Sequence, residues 1–126
     1  MEIYHLSATK KTPKVILDHT KGYFEFSGIA MPEDTVIFFE PLLKKIREYI
    51  NATEVPIVFH FSVYYFNSLS SKMLYQLFKL IEKQHKKGKE IKIEWTYEED
   101  DESMEEAGKL FLESIDVPYE MILSES

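Results

Sequence analysis

The sequence predicts an α/β fold in which helices pack on a mixed β-sheet. Two observations favour this class. Segments rich in Val, Ile, Phe and Tyr alternate with segments whose apolar residues recur at helical spacing, and the most apolar segment leads directly into a long amphipathic one. The 126 residues contain no repeat and no linker rich in Pro, Gly or Ser. We therefore expect one domain over residues 1–126.

The first third of the chain is predicted to form strands, followed by a helix. The strands are expected at Ile3 to Leu6, Lys14 to Asp18 and Tyr23 to Phe26. Pro32-Glu33-Asp34 is expected to open the helix, because an apolar stripe follows it at helical spacing: Phe39, Leu42, Leu43, Ile46 and Ile50. Pro41 interrupts this stripe. Since proline removes a backbone donor, we predict a bend between Phe38 and Pro41.

The middle of the chain combines the most apolar strand with a long helix. Pro56 to Phe66 contains no charged residue, which is typical of a strand covered on both faces. The helix that follows has its apolar stripe at Leu74, Leu77, Phe78, Ile81 and His85, and is expected to end at Gly88. Between them lies a polar turn, Asn67-Ser68-Leu69-Ser70-Ser71-Lys72. Open α/β sheets usually keep functional groups at this C-terminal edge of the strands.

The last third repeats the alternation. Glu90 to Tyr97 is predicted to be a strand, and Pro118 to Leu123 a short one. A third helix is expected between them from the spacing of its apolar side: Met104, Ala107, Gly108, Phe111 and Ile115.

The hydroxyl groups of the polar turn have two interpretations. Serine is a preferred N-cap residue, and one cap contributes about 1 kcal/mol. A cap needs only one hydroxyl, however, whereas Ser68, Ser70 and Ser71 supply three. The helix dipole at this position also favours an added anion such as a phosphate. Capping and chemistry both remain open from the residues alone.

Several segments, in their order and spacing, resemble one known family. They are Thr12-Pro13 with Val15 to Asp18, Phe24-Glu25-Phe26-Ser27-Gly28, Pro32-Glu33-Asp34, Tyr65-Phe66-Asn67-Ser68, Ser70-Ser71-Lys72, Trp95-Thr96-Tyr97, Asp100-Asp101-Glu102-Ser103-Met104 and Pro118-Tyr119-Glu120. With them the chain resembles the SiaC family of bacterial regulatory phosphoproteins, which are small STAS-like domains of partner-switching pathways. Ser68 occupies the position of the family's threonine phosphoacceptor, and Leu69 stands where a hydroxyl residue is common.

The resemblance implies a phosphorylation switch. Unphosphorylated protein would bind and activate a diguanylate cyclase, raising cyclic di-GMP and promoting aggregation or biofilm formation. A dedicated Ser/Thr kinase would release it by modifying Ser68, and a PP2C-like phosphatase would reverse this, so ATP and metal would belong to these partners and the chain itself would need no cofactor. The partner-binding loop would comprise Asn67, Leu69, Ser70, Ser71 and Lys72. Within it, Asn67 is expected to shape the turn, Ser70 and Ser71 to act as caps or secondary contacts, and Lys72 to hold the phosphate.

Composition limits the other functions. The net charge of −7, from 22 acidic and 15 basic residues, argues against a nucleic-acid surface. The absence of cysteine excludes disulfides and Cys-ligated metal sites, and fits a reducing compartment. With neither a secretory leader nor a membrane-spanning apolar segment in the sequence, we expect a cytoplasmic protein.

Enzyme signals in the sequence are weak. His5, His19, His60 and His85 show no metal-ligand spacing, and the GxSxG, Walker A and GxGxxG motifs are absent. We expect His60 to be a hydrogen-bonded core residue and the protein to be non-enzymatic. Two rival functions remain: a STAS-like antagonist of an anti-sigma factor or another signalling module, and a small ligand-binding or hydrolytic domain that uses His60 with the acidic run.

That acidic run extends from Glu98 to Glu102 before the third helix, and its candidate docking residues are Glu99, Asp100, Asp101 and Glu102. It is either a solvated helix start, where carboxylates complement the dipole, or a docking surface for a basic partner. Trp95 and Tyr97 precede it and share one face of their strand. They would add aromatic contact area if that face points outward.

Overall fold

The computed structural model describes residues 1–125, which form one six-stranded sheet and three helices. In chain order these are β1 Tyr4–Leu6, β2 Lys14–Asp18, β3 Tyr23–Ala30, α1 Thr35–Ala52, β4 Ile57–Phe66, α2 Ser68–Lys86, β5 Ile91–Tyr97, α3 Glu102–Glu113 and β6 Tyr119–Leu123. The spatial order of the strands follows the chain from β1 to β6. β1, β2 and β3 pair antiparallel, whereas β3, β4, β5 and β6 are parallel. The predicted mixed α/β class is confirmed.

All three helices lie on one face of the sheet. Phe26, Phe61 and Trp95 are in register on β3, β4 and β5, so their side chains point to the same side. Each ring contacts a different helix, at centroid distances of 6.3 Å from Phe26 to Phe39, 4.7 Å from Phe61 to Phe78 and 6.1 Å from Trp95 to Phe111. The core is therefore a single layer between the sheet and the helices.

The opposite face of the sheet is open and polar. Glu25, His60, Glu94 and Glu120 form a row across four strands, and His60 Nδ1 lies 3.0 Å from Glu94 Oε1. The predictions of a doubly covered β4 and of a core His60 are therefore wrong. The outward residues of β4 are Val58, His60, Ser62 and Tyr64, and none of them is an Asp, Glu, Lys or Arg. Because the carboxylates of this face come from neighbouring strands, the sequence of β4 alone resembles a buried strand.

The start of α1 and the end of α2 lie where the sequence predicts them. Asp34 caps α1, its Oδ1 accepting from Ile37 N at 3.2 Å, and α1 continues through Pro41 without a break. α2 ends at Lys86, and Gly88 beyond it has a φ of +113°, which is the conformation that favours glycine. Within residues 1–125, no helix is long and apolar enough to cross a membrane.

The topology brings the three helix starts together. Each helix follows a strand of the parallel part of the sheet and leads to the next parallel strand. Since parallel strands end at the same edge, the N-termini of α1, α2 and α3 all lie at the C-terminal edge of the sheet. The polar turn before α2 is at the centre of this edge.

Candidate functional site

Asn67 organises the polar turn between β4 and α2. Its Oδ1 accepts from Ser70 N at 2.9 Å, its carbonyl accepts from Ser71 N at 2.9 Å, and its own N–H donates to the Ala30 carbonyl at 3.3 Å. The prediction that Asn67 shapes the turn is confirmed. The interpretation that serine caps the helix is wrong, because Asn67 is the N-cap and Ser68 is the first helical residue.

The three serines of the turn have different environments. Ser68 is exposed, Ser71 is half-buried, and Ser70 is fully buried at 0% exposure. The Ser70 hydroxyl has no hydrogen-bond partner among the described residues. The expectation that Ser70 acts as a cap or a secondary contact is therefore wrong, since it faces the core of the helix layer. Of the three serines, Ser68 is the most exposed.

A β-bulge lies immediately before the turn. Gly28 pairs with Val63 and Ile29 with Tyr65, so that Tyr64 is an extra residue in β4. Gly28 has a φ of +108°, and Tyr64 and Tyr65 are 55% and 51% exposed. Bulges redirect side chains and are common next to functional sites. Here the bulge places two exposed tyrosines in the segment that leads into Ser68.

The start of α2 differs electrostatically from the other two helix starts. Carboxylates cap α1 and α3, at Asp34 and Asp101, whereas the amide cap of α2 is neutral and its first turn contains no acidic residue. Lys72 is exposed and lies four residues after Ser68, on the same side of the helix. The unpaired N–H groups and the dipole at this terminus therefore favour an anion.

An exposed apolar cluster adjoins the turn. Leu69 is 58% exposed, and Val36 at the start of α1 is 52% exposed. Leu69 and Val36 line a groove of about 440 Å³ between α1 and α2, together with Lys72 and Met73. Contiguous exposed apolar residues often mark interaction sites. Sequence reasoning missed the exposure of Val36 and of Ile37 beside it. Both residues fall outside the apolar stripe of α1, and this position indicates that their side chains do not pack in the core.

The acidic run has a structural role at the start of α3. Asp101 Oδ1 accepts from Met104 N at 3.1 Å, and Glu102 and Glu105 lie in the first turn. Glu99 and Asp100 are exposed. Trp95 does not contribute an outward surface, since it is fully buried and its Nε1 donates to the Met104 carbonyl at 3.0 Å. Tyr97, on the same face, packs against the core.

The structure does not bring His60 to the acidic run. His60 contacts Glu94, which precedes Glu98 by four residues, or about 13 Å along an extended strand. Within residues 1–125 no group of three or more His, Asp or Glu side chains is placed to hold a metal ion. The C-terminal edge instead presents an exposed serine, Ser68, beside the exposed apolar side chain of Leu69.

Comparisons with known proteins identify relatives over nearly the whole chain. The family model described as SiaC family regulatory phosphoprotein matches residues 6–124. An uncharacterised protein of Pseudomonas aeruginosa strain UCBPP-PA14 is 23% identical over 119 residues, which is 94% of each chain. The crystal structure of apo-SiaC from Pseudomonas aeruginosa is similar with a TM-score of 0.85 at 22% identity, covering 97% of this chain and 99% of that one. SiaC in its complex with the diguanylate cyclase SiaD, of which it is the activator, has a TM-score of 0.87 at 21% identity, covering 96% and 99%.

Proposed function

The chain belongs to the SiaC family of regulatory phosphoproteins, and from this premise we propose that phosphate on Ser68 switches its binding to a partner protein. The observation that carries the proposal is the position of Ser68. Ser68 is exposed at the first residue of α2, beside the exposed Leu69. The helix start there has a neutral cap and no acidic residue in its first turn. A group added there enters any interface that covers the turn.

The switch follows from the charge of the phosphate. Phosphorylation adds about −1.5 to −2 charges at neutral pH. Within the protein, the N-terminal amides of α2 and the Lys72 ammonium offset this charge, so the fold tolerates the modification. In the complex, the same charge would be buried against the apolar surface that Leu69 and Val36 expose. An unpaired buried charge costs several kcal/mol, so phosphorylated protein dissociates.

We assign the partners by family. The partner of the unmodified form is a diguanylate cyclase, which it activates, as the SiaC of the complex is the activator of SiaD. A Ser/Thr kinase modifies Ser68 and a PP2C-like phosphatase restores it. In this scheme ATP, metal and cyclic di-GMP synthesis belong to the partners, the chain itself is not an enzyme, and all of these reactions take place in the cytoplasm.

Site mapping after incubation with the cognate kinase and ATP tests the acceptor. Intact-mass analysis should give one phosphate on the wild type and on Ser71→Ala, and none on Ser68→Ala. Ser71→Ala is the matched control, because it removes a hydroxyl from the same helical turn. Phosphate that persists on Ser68→Ala, or that maps to Ser71, would contradict the assignment.

A further inference from the structure

A second groove lies at the other side of α1 and shares Asp34 with the groove beside Leu69. It has a volume of about 470 Å³ and separates α1 from the edge strand β1. Tyr4 and Leu6 form the strand wall, and Ile37, Phe38 and Pro41 form the helix wall. Ile37 is 70% exposed. The groove is therefore an apolar channel along an edge of the sheet.

The backbone edge beside this groove is free to pair. β1 is the first strand of the sheet, and in residues 1–125 only β2 pairs with it. β1 has only three residues, Tyr4-His5-Leu6, and none of them is a Lys, Glu or Pro of the kind that blocks edge pairing. The strand wall thus offers main-chain groups, and both walls offer apolar side chains.

The charges of the groove give it a direction. α1 runs antiparallel to β1, since the Tyr4 ring lies 4.8 Å below the Lys45 ammonium and 6.4 Å from the Tyr49 ring, both late in α1. Asp34, at the start of α1, is therefore at the Leu6 end of the groove, and Lys45 is at the Tyr4 end. An added strand antiparallel to β1 would begin near the carboxylate and finish near the ammonium.

We propose that this groove binds an extended peptide segment of another protein, paired antiparallel with β1. Alternate apolar side chains of the peptide enter the channel between Leu6 and Ile37. A basic residue at its N-terminal end pairs with Asp34, and an acidic residue or a terminal carboxylate at its other end pairs with Lys45. This mode of strand addition draws affinity from main-chain bonds and specificity from alternate side chains. It goes beyond the proposed phosphorylation of Ser68.

Selection of random twelve-residue peptides on the intact protein tests the proposal. Enriched peptides should alternate apolar and polar residues between a basic start and an acidic end, and should slow hydrogen exchange at residues 4–6. In titrations with the synthetic consensus peptide, Ile37→Asp should weaken binding by roughly tenfold or more, because it places a charge in an apolar channel. Leu110→Asp is the control, since Leu110 is 66% exposed on α3 and should leave the affinity unchanged.

Exchanging the two charges shows whether Lys45 pairs directly with the acidic end of the peptide or whether its substitution disturbs the groove as a whole. Lys45→Glu should weaken the consensus peptide, and a peptide whose acidic end is changed to Lys should recover affinity for that variant alone. Enrichment of peptides with helical spacing, unchanged affinity in Ile37→Asp, or failure of the exchange would overturn the proposal. A concentration-dependent dimer that Ile37→Asp abolishes would also overturn it, by assigning the groove to a second copy.

Discussion

Ser68 and Ser70 show how strongly the environment of a residue can differ within one helical turn. Ser68 is exposed at the first position of α2, whereas Ser70 is fully buried and its hydroxyl has no partner among the described residues. The function proposed for Ser68 therefore does not extend to its neighbour. We expect the buried Ser70 hydroxyl to lower the stability of the folded state, because a buried polar group without a partner loses its hydrogen bonds to water.

Replacing Ser70 should reveal that cost. Ser70→Ala removes an unpaired buried hydroxyl and introduces a better helix former, so the free energy of unfolding should stay equal or rise by about 1 kcal/mol. Asn67→Ala, three residues earlier, removes the N-cap bond to Ser70 N and should lower it by about 1 kcal/mol. Urea denaturation measures both. A clear loss of stability in Ser70→Ala would indicate a partner for its hydroxyl.

Glu82 predicts a pH dependence of stability. Its Oε2 accepts from Asp116 N at 2.7 Å, and this bond, together with the Lys79 and Lys86 ammonium groups, holds the pKa of Glu82 below its ordinary 4.5. Because the folded pKa is lowered, the stability that Glu82 contributes is complete above pH 4.5 and is lost as the pH falls through the folded value.

Glu82→Gln checks this sign. The variant should be less stable than the wild type at neutral pH, and the difference should shrink as the pH falls below that ordinary value of 4.5. Glu48→Gln, on the exposed side of α1, serves as the control. Urea titrations at several pH values that show a constant difference for Glu82→Gln would contradict the account.

At the residue scale, the sequence located the turn and the role of Asn67, but not the burial of Ser70. A hydroxyl in the first turn of a helix has the same local signature whether it faces water or α1. The side it faces depends on the tilt of α2 against the sheet, which local patterns do not contain. The same limit hid the exposure of Val36 and Ile37.

The packing of α3 on β5 depends on one glycine. A Cβ added at Gly108 would lie 2.5 Å from the Trp95 ring, which is fully buried and held by its bond to the Met104 carbonyl. Helix propensity alone predicts that Gly108→Ala stabilises by about 0.5 to 1 kcal/mol. Because the ring must move, we expect instead a loss of about 1 to 3 kcal/mol.

Thermal or urea denaturation shows whether Gly108→Ala raises or lowers the free energy of unfolding. The difference in stability between Glu106→Gly and Glu106→Ala, at an exposed position of the same helix, gives the propensity effect without the contact. A Gly108→Ala variant as stable as the wild type would mean that Trp95 repacks at little cost. Near-ultraviolet circular dichroism of the single tryptophan reports any movement of the ring.

At the element scale, the helices were the most predictable part, because their apolar stripes determine which side packs. β3 was predicted to end at Phe26 but continues to Ala30, since Ser27 and Gly28 pair with Ser62 and Val63 of β4. β4 was misread as doubly covered because its outward side carries His60 and Ser62 without carboxylates. Both errors concern pairing between strands that are distant in sequence.

Electrostatics acts at the scale of the whole molecule. The net charge is −7, and the exposed part of the acidic run, with Glu99 and Asp100, lies at the same edge of the sheet as Ser68. If the run guides a basic partner, changing Glu99, Asp100 and Glu102 to Gln or Asn should slow association and reduce its salt dependence. Stability should change little, because Asp101 keeps the cap of α3. Unchanged association rates at low salt would mean that the acidic run serves only as the start of α3 and does not guide a partner.

Calorimetric titration against the cognate diguanylate cyclase tests whether phosphate on Ser68 controls partner binding. Unmodified protein and Ser68→Ala should bind equally well. Phosphorylated protein should bind roughly tenfold more weakly or worse, which is a loss of about 1.4 kcal/mol or more in binding free energy. Ser68→Glu should fall between them, because a carboxylate carries about half the charge of a phosphate. Equal affinity of the phosphorylated and unmodified forms would contradict the account.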